Sequence, residues 1–215
     1  IIKYISSREE INKMSNEKKI SNLPKWLPEL ETASLLKTAR NYQARDGSIK
    51  GNYAFLSMCL QRYGGLRISE VFKVRPKDIN FEHEELTVVS SKSNLERMIP
   101  ISDTPLIEVL TFLQAEHPYP SDPYIQRSPK TLWALYKKIY DKAKIEFFGT
   151  HQLRHSFARD MLFNGVSINL LSILLGHKDI KSTLIYARLL PERDTIRKAL
   201  RQLKEQRVAK DMEIR

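Results

Sequence analysis

Six side chains stand in an order that suits attack on a phosphodiester: Arg67, Lys92, His151, Arg154, His177 and Tyr186. Tyr186 follows His177 by nine residues, and His151-Gln152-Leu153-Arg154-His155 lies a short helix upstream. Phosphoryl transfer builds charge on the non-bridging oxygens, so the protein's task is to position cations more than to supply covalent chemistry. This series offers cations, a titratable imidazole and a nucleophile. Each residue also has a plainer reading when taken alone. Arg67 is then a surface ion pair, Lys92 a solvated turn lysine, His177 a helix-end cap and Tyr186 a packing aromatic. His155 reads as a core histidine. The joint order and spacing outweigh those single readings.

The elements that must hold these residues are legible from periodicity. Apolar spacing of i, i+3, i+4 predicts helices over 29–42 and 53–63, with Gly64-Gly65 breaking the second before Arg67-Ile68-Ser69-Glu70 restarts it. Arg67 then sits at a helix start, beside backbone N–H groups suited to a phosphate. Glu70, one turn on, either orients Arg67 or makes a surface ion pair with it. Between Lys77 and Ser102 the period shortens, which predicts three antiparallel strands at 79–81, 86–90 and 97–101, with Lys92 in or beside the second turn. Helices are expected again over 104–116 and 130–144. Thr150 is expected to cap the next, which ends at Asn164-Gly165. Ser167 caps a short apolar helix ending at Gly176, and Asp179 opens the turn that carries Tyr186. The chain therefore reads as mainly α with a small antiparallel three-stranded β-sheet, an α+β class.

Those boxes resemble the catalytic domain of the tyrosine recombinases, the family of phage and plasmid integrases. Gly65-Leu66-Arg67-Ile68-Ser69-Glu70 resembles the first arginine box, and Lys92 to Arg97 the hairpin lysine. His151 to His155 resembles the second box, and Leu175 to Asp179 with Thr183 to Tyr186 the remainder. The resemblance spans about residues 23–190. It implies that Tyr186 is the nucleophile, that Arg67 and Arg154 hold the non-bridging oxygens, and that His151 assists proton removal. His177 would add a hydrogen bond to the phosphate, and Lys92 would protonate the leaving 5′-oxygen. A 3′-phosphotyrosine conserves the bond energy, so neither metal nor other cofactor is implied. A type IB topoisomerase is the nearest alternative, and a non-catalytic DNA-binding module the more distant one.

Composition agrees with such a partner. Thirty-six Lys and Arg against 25 Asp and Glu leave a net charge of +11 over 215 residues, favouring a polyanion such as double-stranded DNA. No run approaches the roughly 18 apolar residues of a spanning helix. One cysteine, Cys59, excludes an internal disulfide and a Cys-based zinc site; its helical spacing to Phe55, Leu56 and Tyr63 predicts core packing, and its solitude a reducing, cytoplasmic setting. Residues 1–22 are expected to be a tether from an N-terminal DNA-binding domain. Residues 191–215 are expected to form a helical tail whose Ile196, Leu200 and Leu203 share a stripe. The resemblance implies that this tail is exchanged between protomers of a tetramer assembled on two specific DNA sites.

Overall fold

The computed structural model of the chain describes residues 24–42, 50–89, 96–116, 119–187 and Arg201. These residues fall into two compact units that divide after Thr183. The tether 1–22, Lys92 and the tail stripe of Ile196, Leu200 and Leu203 lie outside the described residues.

Helix α1 (Glu29–Arg40) carries Glu29 and Glu31 in its first turn and Lys37 and Arg40 in its last, each sign at the end where the helix dipole favours it. Its buried face, Thr32, Leu35, Leu36 and Ala39, packs on α2 (Lys50–Tyr63). Helix α2 is the spine of the unit. It touches α1, the short α3 (Ile68–Val71), α4 (Pro105–Glu116), α5 (Pro129–Ala143) and α6 (Gln152–Phe163). Its Leu56, Met58, Cys59 and Leu60 are fully buried. Cys59 is thus a core residue, as its spacing predicts, and burial pushes its thiol up to about 12.

The sheet is β1 (Ile79–Asn80), β2 (Glu85–Val89) and β3 (Glu96–Pro100) in sequence order, both pairings antiparallel. The expected strands are present with their edges displaced by one residue. In the first turn the Asn80 carboxamide oxygen accepts from the backbone N–H groups of Glu82 and His83 at 3.0 Å. Along β2 and β3 the burial alternates, so Leu86, Val88, Arg97 and Ile99 face inward. Three of those four are apolar; Arg97 is not.

Helix α5 begins where Ser128 accepts from Thr131 N at 3.1 Å and Pro129 presets φ, and it ends at Lys144 in the left-handed region. Helix α7 (Ile168–Leu175) matches its expected caps: Ser167 Oγ accepts from Leu170 N, and Gly176 closes it at φ +63°. Helix α8 (Lys181–Ala187) follows a turn in which Asp179 Oδ1 accepts from Lys181 N. Thr150 departs from expectation. The N-cap of α6 is His151, one residue later, and no side chain caps that end. Among the described residues, no helix is long and apolar enough to cross a membrane.

Candidate active site

The unit of residues 24–183 gathers three arginines around one carboxylate. Glu70, only 2% exposed, lies in α3 immediately after the Gly64-Gly65 break. Its Oε1 accepts from Arg67 Nη1 at 3.0 Å and from Arg97 Nη1 at 3.1 Å. Its Oε2 accepts from Arg97 Nη2 and from the Arg67 backbone N–H, both at 2.8 Å, with Arg154 Nη1 at 3.7 Å. Burial on its own would raise the Glu70 carboxyl. The hydrogen bonds and charge of Arg97, the Arg67 N–H and the charge of Arg154 outweigh that burial and hold the carboxyl below its ordinary value. Glu70 is therefore an ionised, enclosed carboxylate rather than half of a surface pair.

The same arginines meet the end of α7. The carbonyls of Leu174, Leu175 and Gly176 accept, in that order, from Arg97 Nε at 2.8 Å, Arg154 Nη2 at 2.8 Å and Arg67 Nη2 at 3.0 Å. These are carbonyls that a helix C-terminus leaves unpaired, at the negative end of its dipole. Arg154 is further fixed by Gly65 O at 2.6 Å. Two glycines make this closeness possible. Both have positive φ, +62° at Gly65 and +63° at Gly176; a Cβ on Gly65 would lie 2.5 Å from the Phe157 ring, and one on Gly176 2.7 Å from Arg97 Nη1.

Among the described residues, three guanidinium charges against one carboxylate leave a surplus of two positive charges. A phosphodiester carries one negative charge and approaches two in the transition state, so the surplus matches what the reaction develops. Arg67 presents the more open guanidinium, its side chain 30% exposed against 3% for Arg154. The backbone N–H of Arg67 does not serve as the expected phosphate donor, because Glu70 already accepts from it.

His177 directly follows the α7 cap. Arginine only donates, so Arg154 Nη2, 3.0 Å from His177 Nε2, makes that nitrogen the acceptor and leaves the proton on Nδ1. Nδ1–H then donates to Thr183 Oγ1 at 2.7 Å, and Thr183 is fully buried. Burial, then the charges of Arg154, Arg67 and Arg97, brings His177 down to about 4, with Glu70 opposing. The ring is neutral at pH 7. In this arrangement Nε2 accepts, so donation to a phosphate oxygen requires a change of tautomer.

His151 precedes the first turn of α6, and burial together with the charges of Arg154 and Arg67 lowers it. Its place is set partly by a buried chain that sequence reading misses. Ser57 and Gln61 on α2 both bond the Tyr136 hydroxyl at 2.7 Å, and Gln61 Nε2 donates to the Thr150 carbonyl at 2.7 Å, one residue before His151. His155 is half-buried and brought down to about 4 by burial, His151 and Arg154. Tyr186 is a buried side chain on α8, one turn beyond Thr183, and belongs to the other unit, which comprises residues 1–23 and 184–215. Arg67, Glu70, His151, Arg154 and His177 thus share one unit, while Lys92 is outside the described residues. Arg97 was missed as a site residue although a signal existed: a charged side chain in an inward slot of an alternating strand.

Comparison with known proteins gives the family. Residues 25–193 match the model of the phage integrase family. The chain is 34% identical over 209 residues to the tyrosine recombinase XerA of Pyrococcus horikoshii, covering 92% of this chain and 69% of that protein. Its fold is similar to the crystal structure of XerA recombinase, with a TM-score of 0.66 at 22% identity, over 86% of this chain and 66% of that one. It is also similar to XerH site-specific recombinase bound to palindromic difH substrate in a post-cleavage complex, with a TM-score of 0.66 at 21% identity, over 85% of this chain and 54% of that one. The chain thus spans about two thirds of the length of its XerA relative. A family match across most of the chain, beside a relative 34% identical, means that this chain belongs to the phage integrase family, as a tyrosine recombinase catalytic domain.

Proposed function

We propose that the chain is the catalytic part of a site-specific DNA recombinase that cuts and rejoins strands through a 3′-phosphotyrosine and a Holliday junction. The observation that carries this reading is the gathering of three guanidinia on the Glu70 carboxylate among the described residues, two of them belonging to the matched boxes. Tyr186 Oη attacks the phosphorus and the bond to the 5′-oxygen breaks. The phenol proton passes to His151, whose lowered basicity keeps it neutral and able to accept at pH 7. Arg67 and Arg154 hold the two non-bridging oxygens, and Lys92 delivers a proton to the leaving 5′-oxygen. His177 adds a hydrogen bond once its tautomer has changed. A partner strand's 5′-hydroxyl then reverses the step. Glu70 keeps Arg67 aimed.

In this reading the partner is double-stranded DNA with specific sites, bound by a tetramer that exchanges its 191–215 tails, and the work is done on the nucleoid. The likeness to XerA and to the XerH site-specific recombinase bound to palindromic difH substrate supports this reading. The test begins with a pool of nicked duplexes of randomised sequence. Strands covalently attached to the protein are recovered from denaturing gels and sequenced, and the selected duplex becomes the substrate for later assays. A 3′-linked adduct that is lost in Tyr186→Phe supports the proposal. Binding without any adduct makes the chain a non-catalytic DNA-binding module, and relaxation of supercoils without Holliday junctions makes it a topoisomerase.

A further inference from the structure

Arg97 contributes nothing to the six-residue series, yet its guanidinium hydrogen-bonds both Glu70 oxygens. It occupies the inward slot of β3 two residues before Ile99, where the neighbouring inward positions are apolar. Burying a guanidinium there is unfavourable unless its partners are well placed. All three of its nitrogens are engaged: Nη1 and Nη2 form a fork on the two Glu70 oxygens, and Nε donates to Leu174 O. Gly176 is pressed against the same guanidinium, close enough that a Cβ would displace it.

We infer that Arg97 is a positioning residue, which fixes Glu70 and the end of α7 so that Arg67 and the His177 segment face the phosphate together. This rests on the recombinase reading and extends it. The geometry has two arms. Through Glu70 Oε1, Arg97 and Arg67 share one acceptor, so the orientation that satisfies Arg97 also sets the aim of Arg67. Through Leu174 O, Arg97 holds the first of three successive carbonyls whose other two take Arg154 and Arg67, and His177 is the next residue. Arg97 turns inward and is 8% exposed, so its charge acts on these groups from behind rather than by touching substrate.

Among the described residues, the charged or titratable groups facing Glu70 are Arg67 from its own element, Arg97 from β3, Arg154 from α6 and His177 after α7. Removing Arg97 leaves Glu70 buried with fewer cations, so it should take up a proton in mild acid where the parent does not. The experiment measures single-turnover cleavage of the selected nicked duplex against pH by the full chain. Arg97→Met should cleave at least about thirtyfold more slowly while binding DNA within about threefold, and an acid limb absent from the parent should appear. Arg97→Lys restores a charge but no fork, so it should flatten the pH profile while staying slow. Should the buried carboxylate prevent Arg97→Met from folding, the double variant Arg97→Met with Glu70→Gln removes both charges; it should fold, stay slow and lack the acid limb.

Cleavage at the parental rate and pH profile by the folded fraction of Arg97→Met, or of the double variant, overturns the positioning role and reduces Arg97 to a stabilising ion pair. A parent that forms no adduct overturns the recombinase reading, and the role of Arg97 with it. Those two failures are told apart by the parental lane alone.

Discussion

Two charged clusters in the same unit are built differently. Where α1, α2 and α6 meet, Arg62 bonds Glu29 at 2.7 Å and Asp160 at 2.6 Å, and Arg159 bonds Asp160 at 2.9 Å while covering the Trp26 ring at 3.8 Å and the Phe163 ring at 4.2 Å. Two cations meet two anions, and aromatic faces cover one guanidinium. Among the described residues its formal charges balance. Around Glu70, among the described residues, three cations meet one anion, and further donors fall on backbone carbonyls and the neutral His177 ring, whose charges are only partial. Such an arrangement is stable without ligand but electrostatically incomplete, so an added anion gains more there than at the balanced cluster. Buried arginine is thus no mark of function. The imbalance around it is.

The contrast is broken most severely at the nucleophile. Tyr186→Phe should bind DNA as the parent does and form no covalent adduct; a 3′-linked strand trapped by the Phe variant removes Tyr186 from its role. Next come the cations of the unbalanced cluster. Arg67→Ala or Arg154→Ala should slow cleavage about a hundredfold, on the order of 3 kcal/mol of transition-state stabilisation, with much smaller changes in DNA affinity. Parental single-turnover rates in either variant would show that the surplus charge serves no phosphate.

The balanced cluster should answer in the opposite currency. Asp160→Asn breaks both of its ion pairs and leaves Arg62 with Glu29 alone, so unfolding free energy should drop by about 1–2 kcal/mol in urea titration. Cleavage by the folded variant should match the parent, and a slow Asp160→Asn that is fully folded would erase the distinction between the clusters.

The smallest effect concerns acid. His155 and His177 are each brought down to about 4 in the fold from an ordinary value of 6.5. The unfolded chain therefore binds protons first, and the stability these rings contribute is complete above about pH 6.5 and lost as pH falls from 6.5 toward 4. His155→Gln should reduce the stability difference between pH 7 and pH 5 by roughly 1 kcal/mol, after allowance for solvent screening of a half-buried ring. An unchanged difference in the urea midpoints at the two pH values would mean that another group governs the acid limb.

The sequence by itself determined the elements and the chemical types. Ser167 and Gly176 delimit α7 because a hydroxyl satisfies free N–H groups and a glycine tolerates positive φ, and both are local facts. The order of Arg67, His151, Arg154, His177 and Tyr186 named the family, because residue type and spacing survive where no contact can be read. Only the tertiary structure decided what those residues touch. Periodicity states which face a side chain occupies and not what that face meets. The alternation of β3 turned Arg97 inward, but its fork on Glu70 joins residues 27 apart and its bond to Leu174 O joins residues 77 apart. Glu70 reads either as orienting Arg67 or as its surface partner one turn on, and becomes an enclosed carboxylate shared by two other arginines. The Arg67 N–H looks open at a helix start and is taken by Glu70, and Gln61 holds the carbonyl ahead of His151 through a contact spanning 89 positions. Spacing within an element is set by backbone geometry, whereas pairing between elements is set by which packed arrangement leaves the fewest buried charges unmatched.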